Sequence, residues 1–189
     1  MASLCIMALL MSGCAQEEDD DTIYACGYEE ACTEADMSDY ENLEDDHVFL
    51  ETTYAQAIEI LQDETFSGIL YFGYPSCPWC AEAVVYMNEA AKEVGQSIYY
   101  INKKSDDSLE NSELEDEIVE ILIQSIDLDE DDEGNPHLYV PEVIVIQDGV
   151  IVSHHNGTVE GHDAHERTMS EEEQQELLAI YQEMFSVFS

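Results

Sequence analysis

Two cysteines three residues apart, Cys77 and Cys80, stand where a short apolar run gives way to a turn and then to helical periodicity. Gly68-Ile-Leu-Tyr-Phe72 has the length and content of one buried strand. Gly73-Tyr-Pro-Ser follows as a turn. Pro78 suits the first turn of a helix, where its missing N–H would have had no partner anyway. Val84, Val85, Met87, Ala90 and Ala91 then carry an apolar face as far as Gly95. A chain built around this junction needs a central strand with helices to cover it.

The rest of the sequence supplies them. Thr53-x-x-Gln56 has capping-box form and opens a helix predicted over 53–63, with Tyr54, Ile58 and Leu61 on one face. Ser97-Ile-Tyr-Tyr-Ile-Asn102 reads as a second strand. Ser112-x-x-Glu115 opens another predicted helix, with Leu114, Ile118, Ile121 and Leu122 on its apolar face. An acidic loop over 127–137 follows. Glu142–Gln147 and Val150–His154, joined by Asp148-Gly149, form a predicted hairpin with a two-residue turn. Ser170-x-x-Glu173 opens a last helix bearing Leu177, Tyr181, Met184, Phe185 and Phe188. The order helix, strand, helix, strand, helix, strand, strand, helix predicts an α/β fold: a central mixed β-sheet flanked by helices on both faces.

Charge restricts the partners. The chain of 189 residues has 45 acidic residues against four basic ones, a formal net charge of −41. Nucleic acid is excluded as a partner, because phosphate binding needs clustered Lys and Arg. Charge-driven docking on an anionic membrane is excluded for the same reason. Fourteen of the acids fall in residues 15–46, a stretch without Lys or Arg. A self-repelling segment of this kind stays extended, so residues 14–46 are read as an acidic spacer.

Residues 1–13 are uncharged and mostly apolar, too few to span a bilayer as a helix. They read as the end of a signal peptide. Met11-Ser12-Gly13-Cys14 resembles a bacterial lipobox, in which the Cys is acylated and becomes the mature N-terminus. That resemblance implies an extracytoplasmic protein held to the cell membrane by a lipid on Cys14, as a bacterial lipoprotein is. The membrane would be a partner through the lipid anchor only.

Six cysteines are present: 5, 14, 26, 32, 77 and 80. Cleavage would remove Cys5 and acylation would use Cys14, which leaves two pairs. Outside the cytosol an even count permits disulfides. Cys26 and Cys32, in a polar Gly-containing segment, are the candidate structural disulfide, with free thiols or an auxiliary redox pair as alternatives. No metal site is expected, since the two pairs lie far apart and no nearby His gives a zinc-ligand spacing.

Cys77 and Cys80 are the candidate catalytic pair. A Cys at a helix N-terminus faces the positive end of the macrodipole and unpaired N–H groups, so its thiolate is stabilised. Cys77 is the expected nucleophile. Cys80, one turn on, is the expected resolving thiol, which attacks the mixed disulfide and releases the substrate. Pro78 and Trp79 between them are expected to support the site, and Trp79 to shield the disulfide or touch a substrate. This chemistry calls for no cofactor.

Over roughly residues 47–189 the sequence resembles the thioredoxin superfamily. The strand–Cys77-Pro-Trp-Cys80–helix segment carries the resemblance, together with Val140-Pro141 before a hydrophobic strand. It implies a thioredoxin-like domain in which Pro141 is the cis-proline beside the cysteines and the Val140 backbone pairs with substrate. More narrowly, Tyr71-Phe-Gly-Tyr-Pro-Ser-Cys-Pro-Trp-Cys80, Tyr99-Tyr-Ile-Asn102 and Gly157-Thr-Val-Glu-Gly-His162 look like Gram-positive thioredoxin-like proteins of bacteriocin transport or maturation. One departure bears on mechanism. Reducing thioredoxins carry a buried Asp six residues before the first Cys, a proton acceptor for the resolving thiol; Tyr71 stands there. Glu82 is a substitute only if the fold brings it near Cys80.

The expected activity is therefore thiol–disulfide exchange on exported proteins or peptides, by a monomer with a membrane electron-transfer partner. Oxidase or isomerase action is favoured over reduction. The alternative is a non-catalytic thioredoxin-fold accessory module of an export system, its disulfide structural. Two other motifs read as solvated loops. His154, His155, His162 and His165 cluster after the hairpin, and Asp129-x-Asp131-x-Glu133-Gly134 copies half of a calcium loop but has Val140 where the bidentate Glu belongs.

Overall fold

A computed structural model describes residues 33–189. The signal segment 1–13, Cys14 and the Cys26–Cys32 pair lie outside the described residues. In chain order the elements are β1 (Phe49–Glu51), α1 (Tyr54–Gln62), β2 (Gly68–Gly73), α2 (Pro78–Glu93) and β3 (Ile98–Asn102). Then come α3 (Asp106–Glu110), α4 (Glu113–Leu122), β4 (Glu142–Gln147), β5 (Val150–Asn156) and α5 (Glu171–Phe185), closed by a short 3-10 turn.

The five strands form one mixed sheet in the order β1-β3-β2-β4-β5. β1 and β2 run parallel to β3, while β4 is antiparallel to β2 and β5 to β4. β2 lies in the middle and is buried along its whole length, which is why its sequence is an unbroken apolar run rather than an alternating one. The strand period of two sorts its side chains between two cores. Ile69 and Tyr71 join Tyr100, Val143 and Val145 under α2 and α5. Leu70 and Phe72 join Tyr99, Ile101, Ile144 and Ile146 under α1 and α4. With helices on both faces of a central mixed sheet, this is the α/β architecture that the sequence predicted.

Local chemistry explains the main boundaries. Thr53 and Gln56 form the capping box of α1, and Ser170 and Glu173 that of α5. Asp148 and Gly149 take φ of 49° and 73°, the left-handed pair that a two-residue hairpin turn needs. At Gly149 a Cβ would also strike the Glu64 backbone.

The structure corrects three expectations. Ser112 makes no side-chain cap on α4 and is itself helical; the serine that caps is Ser105, whose Oγ accepts the Ser108 N–H at 3.1 Å and opens α3. A short edge strand, β1, precedes α1. The assignment of residues 14–46 to a spacer fails over its described part. Ala35, Met37 and Tyr40 are buried in the α2/α5 core, and Glu34 bridges to Leu50 at the sheet edge. Between them Asp36, Ser38, Asp39 and Glu41 stay exposed, so the acids keep their water while every apolar neighbour turns inward.

Candidate active site

Cys77 is the N-cap of α2 and Pro78 its first residue. The Cys77 sulfur accepts the Cys80 N–H at 3.2 Å, the bond an N-cap oxygen would otherwise make. Both cysteines are free thiols in this structure. Cys77 is 4% exposed and Cys80 fully buried, so both are enclosed and Cys77 is the less deeply buried of the two.

Their electrostatics diverge. The Cys77 pKa falls to about 7. The hydrogen bond from Cys80 is the largest cause; burial opposes it, the Cys80 and Trp79 backbone N–H groups reinforce it, and Lys104 adds a favourable charge. Burial pushes the Cys80 thiol far above the ordinary range, with Cys77 adding to the shift. One thiol is therefore poised to ionise near neutral pH, and the other holds its proton.

The Val140–Pro141 peptide is cis. It places the Val140 carbonyl 3.7 Å from the Cys77 sulfur, which donates to it. A clamp behind this loop escaped the sequence reading. The Asn156 amide donates to the carbonyls of Tyr139 (3.0 Å) and Pro141 (3.3 Å) and to Glu142 Oε2 (2.9 Å). The buried Glu142 carboxylate also meets His154 Nδ1 at 2.9 Å.

Trp79 packs edge-on against His165, ring centroids 4.6 Å apart, and its Nε1 donates to the His162 carbonyl at 3.4 Å. It thus meets the 162–165 loop, while the Tyr74 ring lies under Lys104 Nζ, 3.9 Å from its centroid. Glu82 does not replace the missing Asp. Residues two apart on a helix do not face the same way. Its carboxylate is taken by His162 Nε2 at 3.2 Å and by the Met169 N–H at 2.7 Å. The four histidines do not form one cluster: His154 meets Glu142, His155 the Thr158 carbonyl, His162 Glu82, and His165 Trp79. In the acidic loop, Asp131 Oδ1 accepts the Glu133 and Asn135 N–H groups. Among the described residues no three His, Cys, Asp or Glu side chains are placed to hold a metal ion, and no helix is long and apolar enough to cross a membrane.

Behind Cys80 lies a group of buried tyrosines. Tyr71 and Cys80 are buried in the same core, and the Tyr71 hydroxyl favours the Cys80 thiolate. Tyr71 Oη is 3.2 Å from Tyr40 Oη, which is 3.1 Å from Tyr100 Oη. The Tyr71 and Tyr100 rings stack at 5.2 Å. Tyr40 and Tyr100 lie 31 residues before and 29 after Tyr71, a separation that no local pattern could signal.

No family model matches the chain, and no curated protein matches it. Among solved structures, one described as "A putative oxidoreductase with a thioredoxin fold" is similar at 16% identity, over 58% of this chain and 83% of its own, with a TM-score of 0.42.

Proposed function

We propose that this chain is a thiol–disulfide oxidoreductase whose working pair is Cys77 and Cys80. One observation carries the reading: the Cys77 sulfur caps α2 by accepting the Cys80 N–H at 3.2 Å, which favours its thiolate, while Cys80 is fully buried and keeps its proton. The Cys77 thiolate attacks one sulfur of a substrate disulfide. A Cys77–substrate bond forms, the substrate S–S bond breaks, and the departing thiolate takes a proton from water. Cys80 then loses its proton and attacks the Cys77 sulfur, forming the Cys77–Cys80 disulfide and releasing the second substrate thiol. The substrate is reduced and the pair oxidised; the reverse sequence oxidises a dithiol. The cis Val140–Pro141 loop, its carbonyl beside Cys77, is the edge on which a substrate backbone would pair.

The proposal includes the setting: a lipid on Cys14 and action on exported proteins or peptides outside the membrane. Support comes from the apolar residues 1–13 and Met11-Ser-Gly-Cys14. Mass spectrometry of the mature N-terminus from the native host tests it. A chain beginning with acylated Cys14 is expected; an unmodified Met1 sinks the lipoprotein reading.

Redox titration of the full chain against glutathione or dithiothreitol buffers tests the activity. Trp79, the single tryptophan, is the readout, and Cys77→Ser the control. A reversible potential around −200 mV or higher indicates an oxidase or isomerase, and a lower but reversible and rapid couple a reductase. A pair that resists reduction below about −300 mV is a structural disulfide, and the accessory-module reading then replaces this one.

A further inference from the structure

The resolving thiol poses a problem that the mechanism above leaves open. Cys80 must lose a proton to attack, yet it is fully buried, and the Glu82 carboxylate two residues on is held by His162 and the Met169 N–H. We infer that Tyr71, Tyr40 and Tyr100 form a hydroxyl relay that carries the Cys80 proton to solvent. The inference rests on the oxidoreductase reading of Cys77 and Cys80.

The geometry has three parts. Tyr71 holds the inner end. It shares the buried core with Cys80, its hydroxyl favours the Cys80 thiolate, and a Cβ at Gly73 would collide with that hydroxyl, so the bare Gly73 backbone gives it room. Tyr40 is the middle link, within hydrogen-bond distance of both other hydroxyls. Tyr100 is the outer end. It lines a cavity of about 360 Å³ whose walls include Asp36, Asp39, Asp106 and Asp107, and its hydroxyl feels the Asp39 charge. Carboxylates in the cavity walls attract a departing proton.

The transfer balances without a charged tyrosine at its end. The Cys80 proton moves to Tyr71 Oη as Tyr71 passes its own proton to Tyr40. Tyr40 passes one to Tyr100, and Tyr100 gives one to water in the cavity. Each oxygen finishes with one hydrogen, and the new Tyr71 O–H points at the thiolate it has created. Burial holds all three phenols above their ordinary pKa, so none is lost as tyrosinate near neutral pH. Cys77 and Tyr181 also interact with Cys80. The Tyr181 hydroxyl is buried without a hydrogen-bond partner and leads nowhere. In this relay Tyr71 is the group that takes the Cys80 proton; Tyr40 and Tyr100 are positioning residues that act through it.

Stopped-flow Trp79 fluorescence on the reduced full chain separates the steps. Oxidised glutathione first forms the Cys77 mixed disulfide, at a rate that depends on its concentration. Cys80 then closes the disulfide at a rate that does not. Cys80→Ser marks the second phase by abolishing it. Tyr71→Phe keeps the ring and removes only the hydroxyl. Its expected effect is a closure rate lower by about 100-fold at pH 7, the lower end of general acid–base contributions, with the rate rising about tenfold per pH unit as hydroxide takes over. Tyr40→Phe and Tyr100→Phe are expected to slow the same phase by about tenfold. In all three the first phase and the pH profile of Cys77 alkylation should be unchanged. A closure rate within twofold of wild type in Tyr71→Phe, with the same pH profile, overturns the relay. Wild-type protein that forms no mixed disulfide, or never closes one, overturns the oxidoreductase reading itself.

Discussion

The Cys80 N–H donates to the Cys77 sulfur at 3.2 Å, so the residue proposed to resolve the mixed disulfide also stabilises the thiolate of the proposed nucleophile. The Cys80 thiol adds the largest contribution to the lowered Cys77 pKa. Alkylation of Cys77 by iodoacetamide should therefore titrate with a midpoint of about 7. In Cys80→Ala the backbone bonds survive and the thiol's is lost. The midpoint should rise toward the ordinary 9.0 without reaching it. An unchanged midpoint in Cys80→Ala would assign the shift to the helix terminus alone.

His154 and Glu142 supply a second pH dependence. The hydrogen bond to Glu142 is the main cause that raises the His154 pKa above 6.5. A His with a raised folded pKa contributes fully below its unfolded pKa, and the contribution disappears as pH rises through the folded one. His154→Gln should thus lower stability most at pH 5.5 and least at pH 9. A hydrogen bond to a charged group contributes about 1.5–3 kcal/mol. The His154 side chain is 31% exposed, which reduces the expectation to about 1–2 kcal/mol at the acid end. Urea midpoints of wild type and variant across pH check the sign. A loss that grows with pH would mean that the pair is not ionic.

Most of the scaffold was legible because its signals are local. The buried β2 run, Pro78 at the start of α2, the Asp148-Gly149 turn and the capping boxes at Thr53 and Ser170 each specify their element within a few residues. Cys77 and Cys80 were legible for the same reason. What escaped is long-range or contradicted by its surroundings. Glu142 and Asn156 become a clamp only because β4 and β5 pair them. Glu82 looked like a partner for Cys80 and instead meets His162, 80 residues away. Tyr40 was hidden by the acids around it, although Ala35, Met37 and Tyr40 offered an apolar pattern inside the charged run.

That segment gives a further test. Tyr40 is 2% exposed and bonded to two other tyrosines. Truncation of a buried aromatic to Ala costs about 3–5 kcal/mol, and Tyr40→Ala should cost that much. A chain starting at residue 47 also loses Ala35, Met37 and the Glu34–Leu50 bridge, so it should unfold at lower urea than one starting at residue 33. Equal midpoints for the two truncations would return residues 33–46 to the role of a spacer.

Tyr181 tests the interior from the opposite direction. Its ring stacks on Phe185 and meets His155 edge-on, while its fully buried hydroxyl has no hydrogen-bond partner. A buried polar group left unsatisfied costs about 1–3 kcal/mol. Tyr181→Phe keeps the ring and removes the desolvated oxygen. The small void left behind offsets part of the gain, which leaves an expected stabilisation of about 1 kcal/mol. The urea midpoint should rise at unchanged m-value, the signature of a stability change without a change in exposed surface. A drop of about 1 kcal/mol instead would show that the hydroxyl is bonded in solution. Tyr181 feels the Cys80 charge, so that bond would make it a second neighbour of the resolving thiol, and the same variant would then slow disulfide closure.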